Sequence, residues 1–257
     1  MIFIIGANGF LGQGFVKYCE KNQLEFLKIT RENYNDFVGK ECDILINANG
    51  NSKKFLANEN PKFEFDATVK SVISSLHDIE CKMYVMCSTC DVYNDVSNPA
   101  HNNEKAFINI SKQSRYGFHK YIAEQFVRFE AKKYLICRFG GFVGEGLKKN
   151  PIFDITNELP LWLDPQSKLQ FIDKDEAVNV VFKLLNLGLH NEFINICGNG
   201  LVCLQDVIKL AQTKSEIKPN SPKVLYNINI NKLLSYIHVK TSKEVVEDFV
   251  NKNLKKG

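Results

Sequence analysis

The sequence has no strong excess of either charge. Among its 257 residues, 33 basic and 29 acidic side chains leave a formal charge of +4, and they are scattered along the chain. Binding to nucleic acid or to an anionic membrane depends on a dense basic surface that neutralises phosphates. The composition therefore predicts neither nucleic acid nor a membrane as a partner.

The chain also lacks a long apolar segment at its amino end. Residues 2–5 are apolar, no positively charged segment precedes them, and Gly6 interrupts them. A secretory leader needs an apolar stretch of about 7–15 residues after a basic start, and a membrane helix needs about 20. We therefore expect a cytoplasmic protein.

A second metal-binding pair is missing as well. Cys87 and Cys90 have the C-x-x-C spacing, but the sequence contains no further C-x-x-C and no H-x-x-x-H to complete four zinc ligands. Most of the eight cysteines lie inside apolar stretches, which favours buried, reduced thiols over disulfides. We expect no metal site, and a metal or redox role for this pair is the alternative.

What the chain does contain is a succession of apolar segments of strand length. With 44% hydrophobic residues it can bury one substantial core. The segments are continuous rather than alternating, and stretches that read as helices separate them, which indicates parallel strands covered on both faces. The predicted fold class is therefore α/β, a Rossmann-type doubly wound parallel sheet with a small C-terminal substrate lobe. The predicted strands are 2–5, 25–30, 43–48, 82–88 and 134–139.

Two helices are predicted later in the chain. Residues 173–187 carry an apolar stripe at helical spacing, and Thr241 and Glu244 have the spacing of a capping box. The neighbouring segments lack clear periodicity, and we interpret them as a small lobe over the carboxyl edge of the sheet. The predicted domains are a Rossmann domain over 1–145 and 172–199, and a substrate lobe over 146–171 and 200–257.

A glycine-rich turn follows the first strand directly. Glycines permit a tight turn and the close approach of a pyrophosphate, and the N-terminus of the following helix offers amide donors to an anion. The position between a strand and a helix favours dinucleotide binding over an ordinary glycine-rich turn. The predicted cofactor-binding residues of this turn are Gly6, Asn8, Gly9, Phe10, Leu11 and Gly12.

The end of the second strand bears on the choice of cofactor. Many NAD-binding folds have an acidic residue there that binds the ribose hydroxyls, but here Arg31 comes before Glu32. An arginine can bind a 2′-phosphate with two hydrogen bonds. NADP(H) is therefore favoured over NAD(H). The alternative is a solvated Arg31, with Glu32 filling the NAD role.

Tyr116 and Lys120 are four residues apart, so they share one face of a helix. A neighbouring cation favours the phenolate, and the pair therefore predicts a tyrosine with a pKa below the usual value of about 10. Thr89 lies between the glycine turn and this pair, at the end of an apolar segment. This combination predicts redox chemistry on a bound dinucleotide.

A second tyrosine-lysine pair and the histidines are interpreted as having no catalytic role. Tyr236 and Lys240 repeat the same spacing, but no Ser-Thr strand end precedes them, so we interpret that pair as coincidental. His119 and the other four histidines are expected at the surface.

Taken together, the motifs resemble the extended short-chain dehydrogenase/reductase family, in its branch of nucleotide-sugar epimerases, dehydratases and reductases. The resemblance covers almost the whole chain and depends on the order and spacing of its motifs. They lie at 6–12, 47–50, 88–93, 116–120, 138–144, 171–175 and 193–198.

The resemblance implies a catalytic role for three residues. Thr89 would hydrogen-bond the reacting sugar oxygen, and Tyr116 would act as the acid or base. Lys120 would hold the nicotinamide ribose and lower the pKa of the tyrosine. Hydride and proton would then move at one carbonyl or carbinol carbon.

The resemblance also implies binding residues and an assembly. A homodimer is expected through segments near 62–79 and 112–131. Tyr116 and Lys120 would contact the cofactor, as would Asn47, Ala48 and Asn49 of the loop after the third strand. The nucleotide-sugar substrate would contact Thr89, Cys90, Asp91, Gly141, Phe142 and Lys168.

Two residues after Thr89 bear on the reaction. The 4,6-dehydratases of this branch resemble one another in a Thr-Asp-Glu run, and Cys90 at the first acidic position cannot readily protonate a leaving hydroxyl. Enzymes that combine 3,5-epimerisation with reduction carry a cysteine where this chain has Asp91. Simple ketoreduction and 4-epimerisation through a transient ketone remain.

Ketoreduction is the favoured interpretation. Arg31 and the short link before Asp43 resemble the dTDP-4-dehydrorhamnose reductase and GDP-fucose synthase side of the family. We expect NADPH-dependent reduction of a 4-keto-6-deoxy nucleotide sugar, in surface-polysaccharide or deoxysugar biosynthesis. A 4-epimerase with retained NAD is one alternative, and a noncatalytic NADP-binding sensor is another.

Departures from the family leave the substrate open. Thr68 stands where many members have asparagine, and Leu169 stands where many have an arginine beside the substrate diphosphate. Lys168 is the candidate replacement for that charge. Because the chain is also shorter than typical members, a substrate smaller than a nucleotide sugar is a further alternative.

Overall fold

A computed structural model describes residues 1–50 and 54–254, and a six-stranded parallel sheet organises it. The α/β Rossmann-type fold class is confirmed. So are all five predicted strands, whose ends shift by at most two residues. The strands are β1 (Ile2–Ile5), β2 (Phe26–Ile29), β3 (Glu41–Asn47), β4 (Glu80–Thr89), β5 (Tyr134–Phe139), β6 (Gly141–Val143), β7 (Lys168–Leu169), β8 (Phe171–Asp173), β9 (Glu192–Ile196) and β10 (Val202–Cys203).

Helices connect the strands of the sheet and pack on its two faces. A π-helical turn, Asp66–Lys70, joins the third helix to the fourth. Within the described residues, no helix combines the length and apolarity needed to cross a membrane. The helices are α1 (Phe10–Lys21), α2 (Leu56–Glu59), α3 (Pro61–Phe65), α4 (Ser71–Asp78), α5 (Arg115–Glu130), α6 (Pro151–Thr156), α7 (Lys174–Asn186), α8 (Leu204–Ala211), α9 (Asn231–Leu234) and α10 (Ser242–Leu254).

The two helices predicted late in the chain are confirmed, and polar side chains cap both. The Asp173 carboxylate accepts hydrogen bonds from the first backbone amides of α7. At the start of α10, Thr241 Oγ1 accepts from the Glu244 amide at 3.1 Å, and Glu244 Oε2 accepts from the Thr241 amide at 2.8 Å. These bonds satisfy amides that have no partner inside the helix.

The order of the strands locates the ligand crevice. The strand order of the sheet is β2-β1-β3-β4-β5-β9. The chain therefore adds β2 on one side of β1 and then β3 on the other, and the strand order reverses there. Ile5, the last residue of β1, pairs with Ile29 on one side and Asn47 on the other. Ligands of open α/β sheets bind at the carboxyl ends of the strands where such a reversal occurs. Here that point lies between β1 and β3.

Alternate residues of each strand supply the cores on the two faces of the sheet. Ile46 and Val85 pack with Val178 of α7 on one face. Leu45 and Met86, their neighbours in sequence, pack with Val127 of α5 on the other. Burial of each such side chain contributes about 1.5–3 kcal/mol. Both faces of the strands are therefore apolar, which explains the continuous apolar segments in the sequence.

A third apolar cluster lies outside the sheet and joins α6, α8 and α10 through residues such as Ile155, Val207 and Val246. It draws on both segments of the predicted substrate lobe. Ile228 and Leu233, from the same predicted lobe, instead pack in the core beside the sheet. The domain boundaries stay a prediction, and residues 255–257 of the lobe lie outside the described residues.

A buried ion pair joins α5 to β5 below the carboxyl edge. Arg138 binds both carboxylate oxygens of Glu124, at 3.0 and 2.6 Å, and neither side chain is more than 3% exposed. Ser88 donates a third hydrogen bond to Glu124 at 2.5 Å, and Tyr93 accepts one from Arg138 at 2.9 Å. The two charges therefore compensate each other at a position that is almost completely removed from water.

Glu124→Gln should lower the free energy of unfolding by about 3–5 kcal/mol, because it leaves the Arg138 charge buried without its counterion. Urea denaturation measures the loss. The matched control is Glu247→Gln, which breaks the half-exposed pair of Glu247 with Lys243 and should cost less than about 1 kcal/mol. Equal losses in the two variants would contradict the assignment of a buried, tightly paired charge.

Candidate active site

The glycine turn after β1 forms a cradle of backbone. Gly6 has a φ of +76°, and its carbonyl accepts the Gly9 amide at 2.9 Å. A Cβ on Gly12 would lie 2.0 Å from the Gly6 carbonyl oxygen, so a side chain at this position is excluded. No side chain caps the start of α1, whose first amides are thus left for an external acceptor. The cradle fits the pyrophosphate of a dinucleotide.

The loop after β3 packs against this turn. The Asn47 side chain is buried and faces the sheet interior, where Nδ2 donates to Tyr84 Oη at 2.8 Å. Its Oδ1 accepts the Asn49 amide at 3.0 Å, which holds the loop of Ala48 and Asn49 beside Gly6. Asn47 therefore orders this loop. Contact of the three residues with a cofactor stays a prediction.

Arg31 and Glu32 lie exposed just beyond β2, at the same edge of the sheet. Asn33 Oδ1 accepts the Thr30 amide at 2.7 Å and turns the chain there. A hydrogen bond from the Thr30 side chain lowers the pKa of Glu32. The guanidinium and the carboxylate are both accessible to an adenosine ribose, so the preference for NADP stays a prediction.

The catalytic candidates come together where β4 ends and α5 begins. Thr89, the last residue of β4, donates a hydrogen bond to Asp91 Oδ2 at 3.0 Å. A Cβ on Gly117 would lie 2.2 Å from the Asp91 carbonyl oxygen, so the glycine lets the first turn of α5 pack directly on the turn after Thr89. Tyr116 lies in that first turn and is buried.

Lys120 is also buried, one helical turn later. Its Nζ donates to the Cys87 carbonyl on β4 at 3.4 Å. A Cβ on Gly50 would lie 2.7 Å from this Nζ, so the ammonium lies against the loop after β3. Lys120 thus occupies the space between the end of β4 and the predicted cofactor loop.

The proton affinity of the pair differs from the sequence-based expectation. Burial raises the pKa of Tyr116 above its usual range, and the negative charges of Asp91 and Glu64 raise it further. Burial also lowers the pKa of Lys120. In the ligand-free protein the pKa of Tyr116 is therefore raised and not lowered as expected, because the phenol is removed from water. The phenol stays protonated at neutral pH.

Two residues at the site carry no signal in the sequence. Lys54 Nζ lies 2.5 Å from Asp91 Oδ2, and Tyr226 Oη lies 3.5 Å from Asp91 Oδ1. The Tyr226 amide donates to the Lys168 carbonyl at 2.9 Å, which fixes the tyrosine from the lobe side. Both residues come from irregular segments, so only the folded chain brings them to Asp91.

The predicted substrate residues fall into two groups. Asp91, Phe142 and Lys168 are at least partly exposed, and the Phe142 ring lies 5.9 Å from the ring of Phe10 at the start of α1. Cys90 differs, because it is fully buried and its Sγ donates to the Arg138 carbonyl at 3.1 Å. The thiol of Cys90 thus faces the core, and a contact of its backbone with a substrate stays a prediction.

Gly141 is partly buried and close-packed. A Cβ at this position would lie 2.8 Å from the Gln170 carbonyl oxygen. The glycine therefore serves the packing of the strand pair β6 and β8, and a contact with substrate through its backbone stays a prediction.

His119 is not a surface residue, contrary to expectation. It is 7% exposed, and its Nδ1 is hydrogen-bonded to Glu64, which is fully buried. Glu64 and His119 are 55 residues apart, so no local pattern in the sequence indicates this pair.

The second tyrosine-lysine pair is arranged differently. Helix α9 ends at Leu234, before Tyr236, and the Tyr236 side chain is 44% exposed. Lys240 Nζ is bound by Asp248 at 2.9 Å. The two residues therefore do not form a buried helical pair like Tyr116 and Lys120.

Comparison with known proteins gives a family and a fold. The sequence profile of the NAD dependent epimerase/dehydratase family matches residues 2–197. No curated protein sequence matches the chain.

Among solved structures, UDP-glucuronic acid 4-epimerase from Bacillus cereus, in complex with NAD and UDP-4-deoxy-4-fluoro-glucuronic acid, is 14% identical with a TM-score of 0.81, covering 100% of this chain and 99% of that one. The dTDP-4-dehydrorhamnose reductase from Bacillus anthracis in complex with NADP is 17% identical with a TM-score of 0.75, covering 98% of each chain. The dTDP-glucose 4,6-dehydratase from the same organism, in complex with NAD, is 17% identical with a TM-score of 0.74, covering 99% and 96%. Three reactions share this fold.

Gly12→Ala should weaken NADPH binding by at least about tenfold, because the added methyl group displaces the Gly6 carbonyl and the first amides of α1. Calorimetric titration with NADPH measures the loss. Gly188→Ala is the control: its Cβ meets open space but its φ of +76° strains an alanine, so it should cost stability and leave NADPH affinity unchanged. Wild-type affinity in Gly12→Ala would show that the cofactor binds elsewhere.

Proposed function

Because the chain belongs to the NAD-dependent epimerase/dehydratase family, we propose that it is an NADPH-dependent reductase of a 4-keto-6-deoxy nucleotide sugar. A 4-keto sugar linked to a nucleoside diphosphate is the substrate. A bound nicotinamide supplies the hydride to the carbonyl carbon. The chain's own residues bind both molecules and provide the proton.

In this proposal each part of the site has one task. The amides at the start of α1 bind the cofactor pyrophosphate, and Arg31 binds the 2′-phosphate. Lys120 donates hydrogen bonds to the nicotinamide ribose. Thr89 turns its hydroxyl from Asp91 to the substrate carbonyl oxygen, and Tyr116 donates its proton to that oxygen. The Lys120 charge then stabilises the phenolate that remains.

The exposed guanidinium of Arg31, just beyond β2, is the observation that carries the choice of reaction. An arginine there can bind the 2′-phosphate that distinguishes NADP from NAD. A reductase consumes its cofactor and therefore fits NADPH, whereas a 4-epimerase retains NAD. Burial, which raises the pKa of Tyr116, is compatible with its role as a proton donor.

A panel of dTDP-, GDP-, CDP- and UDP-linked 4-keto sugars, offered with NADPH or NADH, tests the reaction. We expect NADPH to be oxidised in the presence of at least one ketone. The loss of absorbance at 340 nm measures the oxidation, and the stereochemistry of the product is determined separately. Interconversion of unreduced sugars with only catalytic NAD would identify a 4-epimerase instead. Cofactor binding with neither activity would support a sensor.

Tyr116→Phe should bind NADPH as tightly as the wild type, because it removes only the proton donor. Its kcat with the active ketone should fall by a factor of about 10²–10⁴. Tyr236→Phe is the matched control, since it changes the tyrosine of the second pair, and should keep full activity. Unchanged turnover in Tyr116→Phe would contradict the catalytic role.

Arg31→Ala tests the cofactor preference. Loss of a charge-assisted, two-pronged contact with the 2′-phosphate should weaken NADPH binding by about 10–150-fold and leave NADH binding nearly unchanged. Glu32→Gln is the companion variant. It should leave NADPH binding unchanged, and any loss of affinity should be confined to NADH. Weaker NADH binding in Glu32→Gln together with unchanged NADPH binding in Arg31→Ala would reverse the preference.

A further inference from the structure

A buried lysine extends from the start of α7 to the start of α1. Lys174 is the first residue of α7, and it is 4% exposed. Its aliphatic stem lies against Gly14 of α1, where an added Cβ would come within 3.3 Å of Cγ and 3.6 Å of Cδ. Its ammonium lies over the ring of Phe10, 4.9 Å from the centroid. Because Phe10 and Gly14 are about one helical turn apart, the side chain runs along α1 toward the first residue of that helix.

The loop after β6 covers Lys174 from the other side. A Cβ on Gly144, which has a φ of +140°, would lie 3.0 Å from the Cβ of Lys174. The ammonium donates a hydrogen bond to the Glu145 carbonyl oxygen at 2.6 Å. The side chain is thus enclosed between this loop and α1, and its charge is removed from most of the surrounding water.

No carboxylate in the described parts of the chain forms an ion pair with this ammonium. The neighbouring carboxylates have other partners. Asp173 accepts hydrogen bonds from the backbone amides of α7. Asp175 is bound by Lys17 at 2.6 Å, and the Glu145 carboxylate lies 3.6 Å from the same lysine. A carbonyl oxygen and an aromatic ring compensate a full charge that is removed from water only in part.

The start of α1 adds to the excess of positive charge. The first amide of α1 that is bonded inside the helix is that of Gln13, which donates to the Gly9 carbonyl at 2.9 Å, so the amides of residues 10–12 precede it. The first turn contains no acidic residue and has no side-chain cap. A helix carries a partial positive charge at its N-terminus, which disfavours a lysine there. A bound anion would compensate the amides and the Lys174 ammonium together.

We propose that Lys174 is a diphosphate-binding residue, whose ammonium adds a charged contact to the amides at the start of α1. The proposed arrangement assigns the 2′-phosphate to Arg31 and the nicotinamide ribose to Lys120, but it leaves the pyrophosphate to uncharged amides. Charge-assisted hydrogen bonds are about twice as strong as neutral ones. This role of Lys174 rests on the dinucleotide binding of the proposed function and not on the reduction of a ketone.

The test measures the affinity of Lys174→Met for two ligands that carry a diphosphate, NADPH and dTDP, by calorimetric titration. The affinity for NADPH should fall by about 10–150-fold, as expected for the loss of a charge-assisted contact, and the affinity for dTDP should stay unchanged. A loss confined to dTDP would assign the ammonium to the diphosphate of the substrate instead. Wild-type affinity for both ligands would overturn the proposal.

Lys17→Met is the matched control, because Lys17 lies on α1 and contacts the same loop through Glu145. Its side chain is 55% exposed and is bound by Asp175. Removal of this exposed, paired charge should leave the affinity for NADPH within about twofold of the wild type. An equal loss in the two variants would show an effect of the overall charge of the region, and would overturn the contact with Lys174.

Thermal unfolding separates binding from structure. The Tm of ligand-free Lys174→Met should equal or exceed that of the wild type, because an apolar side chain replaces a buried charge without a counterion. The rise in Tm at a fixed NADPH concentration should become smaller. A lower Tm without ligand, together with an unchanged affinity for NADPH, would show a structural role only and would overturn the proposal.

Lys174→Gln serves if Lys174→Met does not fold, because it keeps a donor for the Glu145 carbonyl and removes only the charge. The same loss of NADPH affinity is expected, and wild-type affinity in this variant would equally overturn the proposal.

Binding to the wild type distinguishes this role from the proposed function. A wild type that binds neither NADPH nor NADH would remove the proposed function, and the role of Lys174 with it. A wild type and a folded Lys174→Met that bind NADPH and dTDP equally well would remove the role of Lys174 alone.

Discussion

The burial of the Lys120 ammonium is the constraint on which the rest of the site depends. A charge removed from water is costly unless nearby groups compensate it. The residue is 5% exposed, and within 1–50 and 54–254 the carbonyl of Cys87 accepts a hydrogen bond from its ammonium at 3.4 Å. Burial lowers the pKa of Lys120, and the charges of Glu64 and Glu124 act in the opposite direction. Each of these carboxylates is itself bound by a partner from another element, Glu64 by His119 and Glu124 by Arg138.

This arrangement makes α5 the element that joins structure to chemistry. Its buried stripe contains Tyr116, Lys120, Ala123, Glu124 and Val127, at the spacing of a core-facing helix. Two positions of the stripe pack in the apolar core and three carry polar or charged groups. The helix cannot rotate or slide without unpairing Glu124 from Arg138 or Glu64 from His119. The geometry of the proposed catalytic pair is thus secured by buried charges as well as by apolar packing.

The cofactor side of the site is secured by backbone contacts. Gly12 allows α1 to start against the Gly6 carbonyl, and Gly117 allows α5 to start against the turn after Thr89. At both places two backbone segments meet at a distance that any Cβ would prevent. The starts of the two helices consequently lie at the carboxyl edge of the sheet, where the strand order reverses between β1 and β3.

Much of this could be predicted from sequence because it depends on local pattern. Buried parallel strands need continuous apolar segments, and those segments identified the strands and the fold class. The turn at Gly6 and the spacing of Tyr116 and Lys120 are also local, so the candidate residues could be named. The role of Cys90 could not, because its direction depends on how the turn after Thr89 packs on β5.

The proton affinities lay beyond the sequence for the same reason. Adjacent residues suggested that Lys120 would lower the pKa of Tyr116, but burial and the charges of Asp91 and Glu64 raise it. Burial, and the approach of groups 25 and 52 positions away in the chain, exist only once the chain is folded. The sequence by itself determined the sheet, the glycine turn after β1 and the candidates for the catalytic pair, because steric and periodic rules act along the chain. Tertiary structure alone decided which charges surround that pair, because electrostatic interactions act through space and strengthen as water is removed.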